Sequence, residues 1–251
     1  MDKQSIKFVK SLSERKARAE HNLFVVEGVK LIEEVVKSGL KIESIFFTEK
    51  FDFSQIPPFS PQKSEKISPS EMERISSLKS APSALAVVKI GENYSEIIDE
   101  NSLILALDSV QDPGNLGTII RICDWFGIRT ILCSKDTVDL YNQKVVQSTM
   151  GAIFRVKVIY CDLVEKLEEA QKRQIPIFVT DLGGENIYTK KLHKNGIIVM
   201  GNEGKGVSER VKYLATDRLL IPSYPADNMC ESLNVAVATA IICAEFRRGV
   251  D

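Results

Sequence analysis

Residues 103–121 read LILALDSVQDPGNLGTIIR. The apolar run 103–107 stops at Asp108, which marks a short strand buried on both faces. A loop follows over 108–117. A helical pattern then covers 118–126 until Gly127 ends it. The same alternation continues downstream. Residues 130–133, 155–160, 175–180, 197–200 and 218–221 read as strands, and 141–149, 162–170 and 232–246 as helices. Asp162, with Glu165 three residues on, supplies the cap of the middle helix. Strands alternating with helices imply an α/β fold, a parallel sheet with helices on both faces.

Upstream lies a smaller α/β unit. Leu31, Ile32, Val35 and Val36 give a helix stopped by Gly39. Residues 42–48 and 84–90 read as strands, and 56–61 as a Pro/Ser loop. Ser68-Pro69-Ser70-Glu71 is a capping box with proline at the first helical position. The polar, acidic stretch 91–101 reads as a linker, dividing the chain into domains over 1–92 and 100–251.

Hydrophobic content of 44% and charged content of 27% are those of a globular chain, which excludes a disordered or collagen-like protein. Lys+Arg 33 against Asp+Glu 34 leaves a net charge of −1, so any nucleic-acid contact must use a local patch. Residues 3–18 supply one. Lys3, Lys7, Lys10, Arg15, Lys16 and Arg18 stand against Glu14 alone, a local +5. Ile6, Val9 and Leu12 sit three apart, so the segment reads as one amphipathic helix with a basic outer face. Such a face fits a phosphate-bearing partner.

The cysteines, Cys123, Cys133, Cys161, Cys230 and Cys243, are odd in number and include no CxxC pair, which points to reduced thiols and a cytoplasmic setting. His21 and His193 lie too far apart in sequence to suggest a zinc site, so no metal is expected. The longest apolar stretch, 235–244, is too short to span a bilayer, and no membrane association is expected.

In open parallel sheets ligands bind beyond the carboxyl ends of the strands. Three such ends carry unusual loops: 108–117, the GNEGKGVS run 201–208, and PSYPADNMCESLN at 222–234. None matches a GxGxxG or Walker fingerprint. The glycines at 201, 204 and 206 still require tight turns or a close backbone approach.

Taken together the loops resemble the three motifs of the SpoU (TrmH-like) RNA ribose 2′-O-methyltransferases of the SPOUT superfamily. Asn115-Leu116-Gly117-Thr118-Ile119-Ile120-Arg121 is similar to the first motif and Val199–Gly206 to the second. Ile221-Pro222 with Ser232-Leu233-Asn234-Val235-Ala236 is similar to the third. Residues 24–28 and 85–88 resemble the L30e-like substrate-binding domain fused to many members. The loop between Pro222 and Ser232 is longer than is usual in the family and lacks glycine.

The resemblance implies a C-terminal trefoil knot holding S-adenosylmethionine, with Gly201, Ile221 and Leu233 contacting the cofactor. It implies an enzyme that methylates a ribose 2′-OH of structured RNA, 23S-type rRNA or otherwise tRNA. Arg121, Asn115, Glu203, Ser232 and Asn234 are the implied catalytic set. Arginine ordinarily stays protonated far above neutrality, so using it as a base near neutrality would cost roughly 8 kcal/mol. The expectation for Arg121 is therefore a cationic clamp that stabilises the developing alkoxide. The final helix is apolar almost all round, and the resemblance implies a homodimer packed through it. The alternative is a non-catalytic RNA-binding protein with a degenerate methyltransferase half. A second alternative is an α/β enzyme acting on a small phosphorylated molecule.

Overall fold

The computed structural model describes residues 1–91, 98–224 and 232–248. They fall into two compact units, one drawn from Met1–Asn93 with Asp139–Arg155, the other from Tyr94–Val138 with Val156–Asp251.

The first unit opens on two helices, α1 (Lys3–Ser11) and α2 (Arg15–His21). The single basic helix expected here is therefore broken between them. Ile6, Val9 and Leu12 are buried as their spacing requires, and Lys3, Lys7, Lys10, Arg15 and Lys16 are exposed. Arg18 departs from the outer face: it is only 4% exposed. Its Nη1 donates to the Leu12 and Ser13 carbonyls at 2.9 and 2.6 Å, and its Nη2 to Asp139 Oδ1 at 3.1 Å. Its charge closes the break between the helices, whose carbonyls need a donor.

The chain continues through β1 (Leu23–Glu27), α3 (Val29–Ser38), β2 (Ile42–Phe47), β3 (Lys63–Lys66), α4 (Pro69–Ile75) and β4 (Ala84–Lys89). Gly39 follows α3 with φ 75°. Both halves of the Ser68–Glu71 capping box form. The sheet order is β1-β4-β2-β3, antiparallel except for the β2–β3 pair.

The second unit begins inside the stretch read as a linker. Ile98 is 1% exposed and packs into this unit's core, while Arg173 Nη1 donates to its carbonyl at 3.0 Å. The elements that follow are β5 (Leu103–Leu107), α5 (Pro113–Trp125) and β6 (Thr130–Ser134). Then α6 (Gln143–Ser148) lies in the first unit, where Tyr141 packs against Phe24 with ring centroids 4.6 Å apart. The second unit resumes with β7 (Lys157–Cys161), α7 (Leu163–Lys172), β8 (Ile177–Asn186), β9 (Gly196–Met200), α8 (Glu209–Tyr213), β10 (Asp217–Leu220) and α9 (Val235–Arg247).

These strands form a parallel six-stranded sheet in the order β10-β8-β9-β5-β6-β7, flanked by helices. Side chains alternate across it. Ile104 and Ala106 of β5 join the core beneath α7 and α8. Leu103, Leu105 and Leu107 therefore point to the opposite face. On that face Phe178 meets Phe246 of α9, ring centroids 5.0 Å apart. Every residue of β5 and β9 is buried, as their unbroken apolar runs predict. β8 runs six residues past the expected Thr180, because Glu185 and Asn186 pair with Leu219 and Leu220 after a register shift. Among the described residues, no helix is long and apolar enough to cross a membrane.

Candidate functional site

β5 and β9 are neighbours, with Leu107 opposite Met200, so the chain leaves both strands side by side at the carboxyl end of the sheet. Asp108, 7% exposed, accepts from the Ser208 amide at 2.8 Å through Oδ2 and joins the ends of the two loops. Asn202 does the same at the start of its loop. Its Nδ2 donates to the Ser109 carbonyl at 2.8 Å, and its Oδ1 accepts from the Gly204 and Lys205 amides at 3.0 and 3.1 Å.

The loop then folds back on itself. Asn202 and Gly206 exchange backbone hydrogen bonds at 3.0 and 2.9 Å, with Gly206 at φ 68°. A Cβ on Gly201 would stand 2.2 Å from the Gly206 carbonyl carbon and 2.3 Å from the Val207 nitrogen. Only glycine fits there.

The loop expected over 108–117 is shorter than its composition suggests. Asp112 caps α5 by accepting from the Asn115 amide at 2.8 Å, and Pro113 takes the first helical position. Asp-Pro was the available signal for this start. Asn115 therefore sits in the first turn of α5. At the other helix, Asn234 is the cap: its Oδ1 accepts from the Ala236 and Val237 amides at 3.0 and 3.3 Å.

That cap orients the rest of Asn234. With Oδ1 engaged, Nδ2 donates to Asn115 Oδ1 at 3.0 Å. Asn115 Nδ2 in turn donates to Glu203 Oε1 at 2.8 Å. The three loops are thus joined by one directed chain that ends on a carboxylate. The helices behind it run side by side. Their starts meet at Asn115 and Asn234, and their ends where Arg247 Nε donates to the Phe126 carbonyl at 2.9 Å.

Beside this chain lies a cavity of about 420 Å³. Gly201, Ile221, Leu233, Glu203 and Ser232 all line it. Asn202, Asp181 and Lys212 also reach it, and the sequence reading missed all three. Asn202 carried a visible signal, an Asn two residues before a glycine. Leu233 is 49% exposed and Ser232 is exposed. The segment 225–231, which includes Cys230 and most of the lengthened loop, lies outside the described residues.

Arg121 stands apart. Six residues beyond Asn115 on α5, it is roughly 9 Å further along and a third of a turn round the helix axis. It is exposed, in line with exposed Thr118 and with Trp125, which is 86% exposed. Arg121 makes no hydrogen bond or ion pair among the described residues.

The sequence profile of the SpoU rRNA Methylase family matches residues 102–244, and that of the MRM3-like substrate binding domain matches residues 3–86. A Bacillus subtilis relative, 23S rRNA (guanosine(2553)-2′-O)-methyltransferase RlmP, is 29% identical over 97% of this chain and 96% of its own. A solved TrmH-family structure from Porphyromonas gingivalis is 35% identical and superimposes with a TM-score of 0.88 over 99% of this chain and 98% of that one. An AdoMet-bound rRNA methyltransferase from Sinorhizobium meliloti is 26% identical, with a TM-score of 0.85 over 99% and 96%.

Proposed function

The chain belongs to the SpoU rRNA methylase family, and from that premise we propose that it transfers a methyl group from S-adenosylmethionine to a ribose 2′-OH of ribosomal RNA. The observation that carries this reading is the Asn234–Asn115–Glu203 chain at the edge of the cavity. Sequence drift in a non-catalytic relative would strike such polar residues first, so the RNA-binding alternative is not favoured.

The residues present fit the donor. The cavity volume of about 420 Å³ falls within the usual range for small-molecule sites. Ile221 and Leu233 offer an apolar wall to the adenine, and the turn at Gly201 brings backbone amides close. Bound there, S-adenosylmethionine supplies an electrophilic methyl group on a sulfonium that leaves without needing a proton.

The work left to the chain is to position the hydroxyl, let its proton pass to solvent and stabilise the charge that develops on its oxygen. Ser232, Asn115 and Asn234 present hydroxyl and amide groups for orientation. Glu203 holds the amide chain at one end and draws a cation to the site at its free oxygen. Arg121, a permanent cation on the exposed face of α5 and apart from its own cavity, reaches the reacting oxygen only across a homodimer contact, where it clamps the RNA phosphate and stabilises the 2′-alkoxide.

The functional division is into an RNA-docking domain, 1–92, and a catalytic domain, 100–251. The exposed faces of α5 and α9, with Trp125 and Val237 at 86% and 50% exposure, form the contact of a homodimer that brings a second copy to the site. The family's trefoil knot belongs to this reading. β10 stands at the sheet edge, and the start of α9 meets α5 at Asn115. Cysteines without a CxxC pair and an rRNA substrate support a cytoplasmic setting.

The test uses purified protein, donor labelled in its methyl group and ribosomal RNA, followed by nuclease digestion. Label in a 2′-O-methylnucleoside is expected. No transfer to any ribosomal RNA overturns the proposal. Light scattering at micromolar concentration should report a dimer, and Trp125→Asp with Val237→Asp a monomer.

A further inference from the structure

The cavity wall carries a pair of opposite charges that the catalytic set does not use. Asp181 lies within β8, two residues past that strand's last pairing with β9, and Lys212 comes from α8. Both line the cavity, and their side chains are only 17% and 19% exposed.

The protein satisfies Asp181 only loosely, and Lys212 mainly through an exposed carboxylate. Lys212 Nζ lies 3.9 Å from Asp181 Oδ2, too far for a hydrogen bond, and donates instead to Glu209, which is 87% exposed. Arg218 Nη1 stands 3.5 Å from the same Asp181 oxygen. The hydrogen bond that Asp181 accepts, from the Gly183 amide, measures 3.5 Å. A carboxylate has about four lone-pair sites. Largely burying this one with so few partners costs stability unless something else completes its shell.

The other charged groups on the wall are accounted for. Glu203 is engaged by Asn115, and Lys205 is exposed. Asp181 and Lys212 therefore form a loose ion pair, a carboxylate and an ammonium 3.9 Å apart with no hydrogen bond between them.

We propose that Asp181 and Lys212 bind the amino-acid end of the methyl donor, Asp181 taking the α-ammonium and Lys212 the α-carboxylate. This rests on the methyl-donor reading of the cavity. The ligand's two charges sit on one carbon and match two wall charges held close together. A sugar diol would need an acceptor but would give Lys212 nothing to pair with.

Calorimetry on the full chain separates these cases with two ligands. S-adenosylmethionine carries the amino-acid end, and 5′-methylthioadenosine lacks it. Asp181→Asn and Lys212→Met should each weaken S-adenosylmethionine binding by about tenfold or more, as removal of one charge-assisted hydrogen bond does. Each should leave 5′-methylthioadenosine within about twofold, which also reports an intact cavity. Equal weakening of both ligands overturns the proposal, since the pair then serves the sugar or the cavity's shape. Unchanged affinity for both overturns it too. Wild-type protein that binds neither ligand overturns the donor reading itself.

Discussion

The two sheets of this chain deliver their connections differently. In the first unit β1-β4-β2-β3 is mostly antiparallel, so chain leaves it at both ends. In the second unit every pairing is parallel, so each strand ends at the same side. The loops after β9 and β10, with residues 180–182 of β8, line the cavity, and the loops after β5, β9 and β10 supply the Asn234–Asn115–Glu203 chain. The first unit instead exposes charge, on Lys3, Lys7, Lys10, Arg15 and Lys16 of its opening helices. Convergent loops suit chemistry on one atom, and a charged helical surface suits a long polyanion.

The largest expected effect comes from cutting the directed chain. Asn115→Ala should lower the methyl-transfer rate by about a hundredfold or more, as loss of a preorganised polar group does, while calorimetric affinity for the donor holds. A retained rate would reduce the chain to scaffolding and erase the contrast between the two units.

Next comes the turn beside it. Gly201→Ala forces a methyl to within 2.2 Å of the Gly206 backbone, so the loop must move. Donor affinity should drop by more than about tenfold, and denaturant melts should show a loss of about 1–3 kcal/mol.

A smaller effect should appear in the first unit. Replacing Lys3, Lys7 and Lys10 together with Gln should weaken RNA binding. The salt dependence of that binding should become shallower, its slope falling by about one for every phosphate no longer neutralised. Donor affinity should not change. If the slope is unaffected, the basic helices are only a solvated face.

The smallest effect concerns thiols. Cys123, Cys133, Cys161 and Cys243 are buried thiols, none in a disulfide. Burial pushes the Cys243 thiol up to about 12, and those of Cys123 and Cys133 also rise on desolvation. A thiol reagent near neutral pH should leave all four unlabelled in native protein and label them after denaturation. Fast labelling of Cys123 or Cys243 would show that the α5–α9 packing opens.

Much of the second unit was legible because its signals are local. The apolar runs of β5 and β9 and the Asp162 cap of α7 all formed as read. β3, whose sequence is KSEK, gave no apolar signal and exists through its pairing with β2. The polar end of β8 was invisible for the same reason. In the site, the three loops could be found from their residues. The link from Asn202 to Ser109 and the charged pair at Asp181 and Lys212 could not, since those partners lie far away in the chain.

Side-chain polarity and spacing along the chain determined which segments are strands and helices, where several caps fall and which loops carry unusual residues. Those properties depend on interactions a few residues apart. The strand order β10-β8-β9-β5 decided which loops meet, and packing decided that Arg18 is buried while Arg121 faces outward. Such outcomes arise from contacts between residues far apart in sequence, set when the sheet assembles, and no local pattern encodes them.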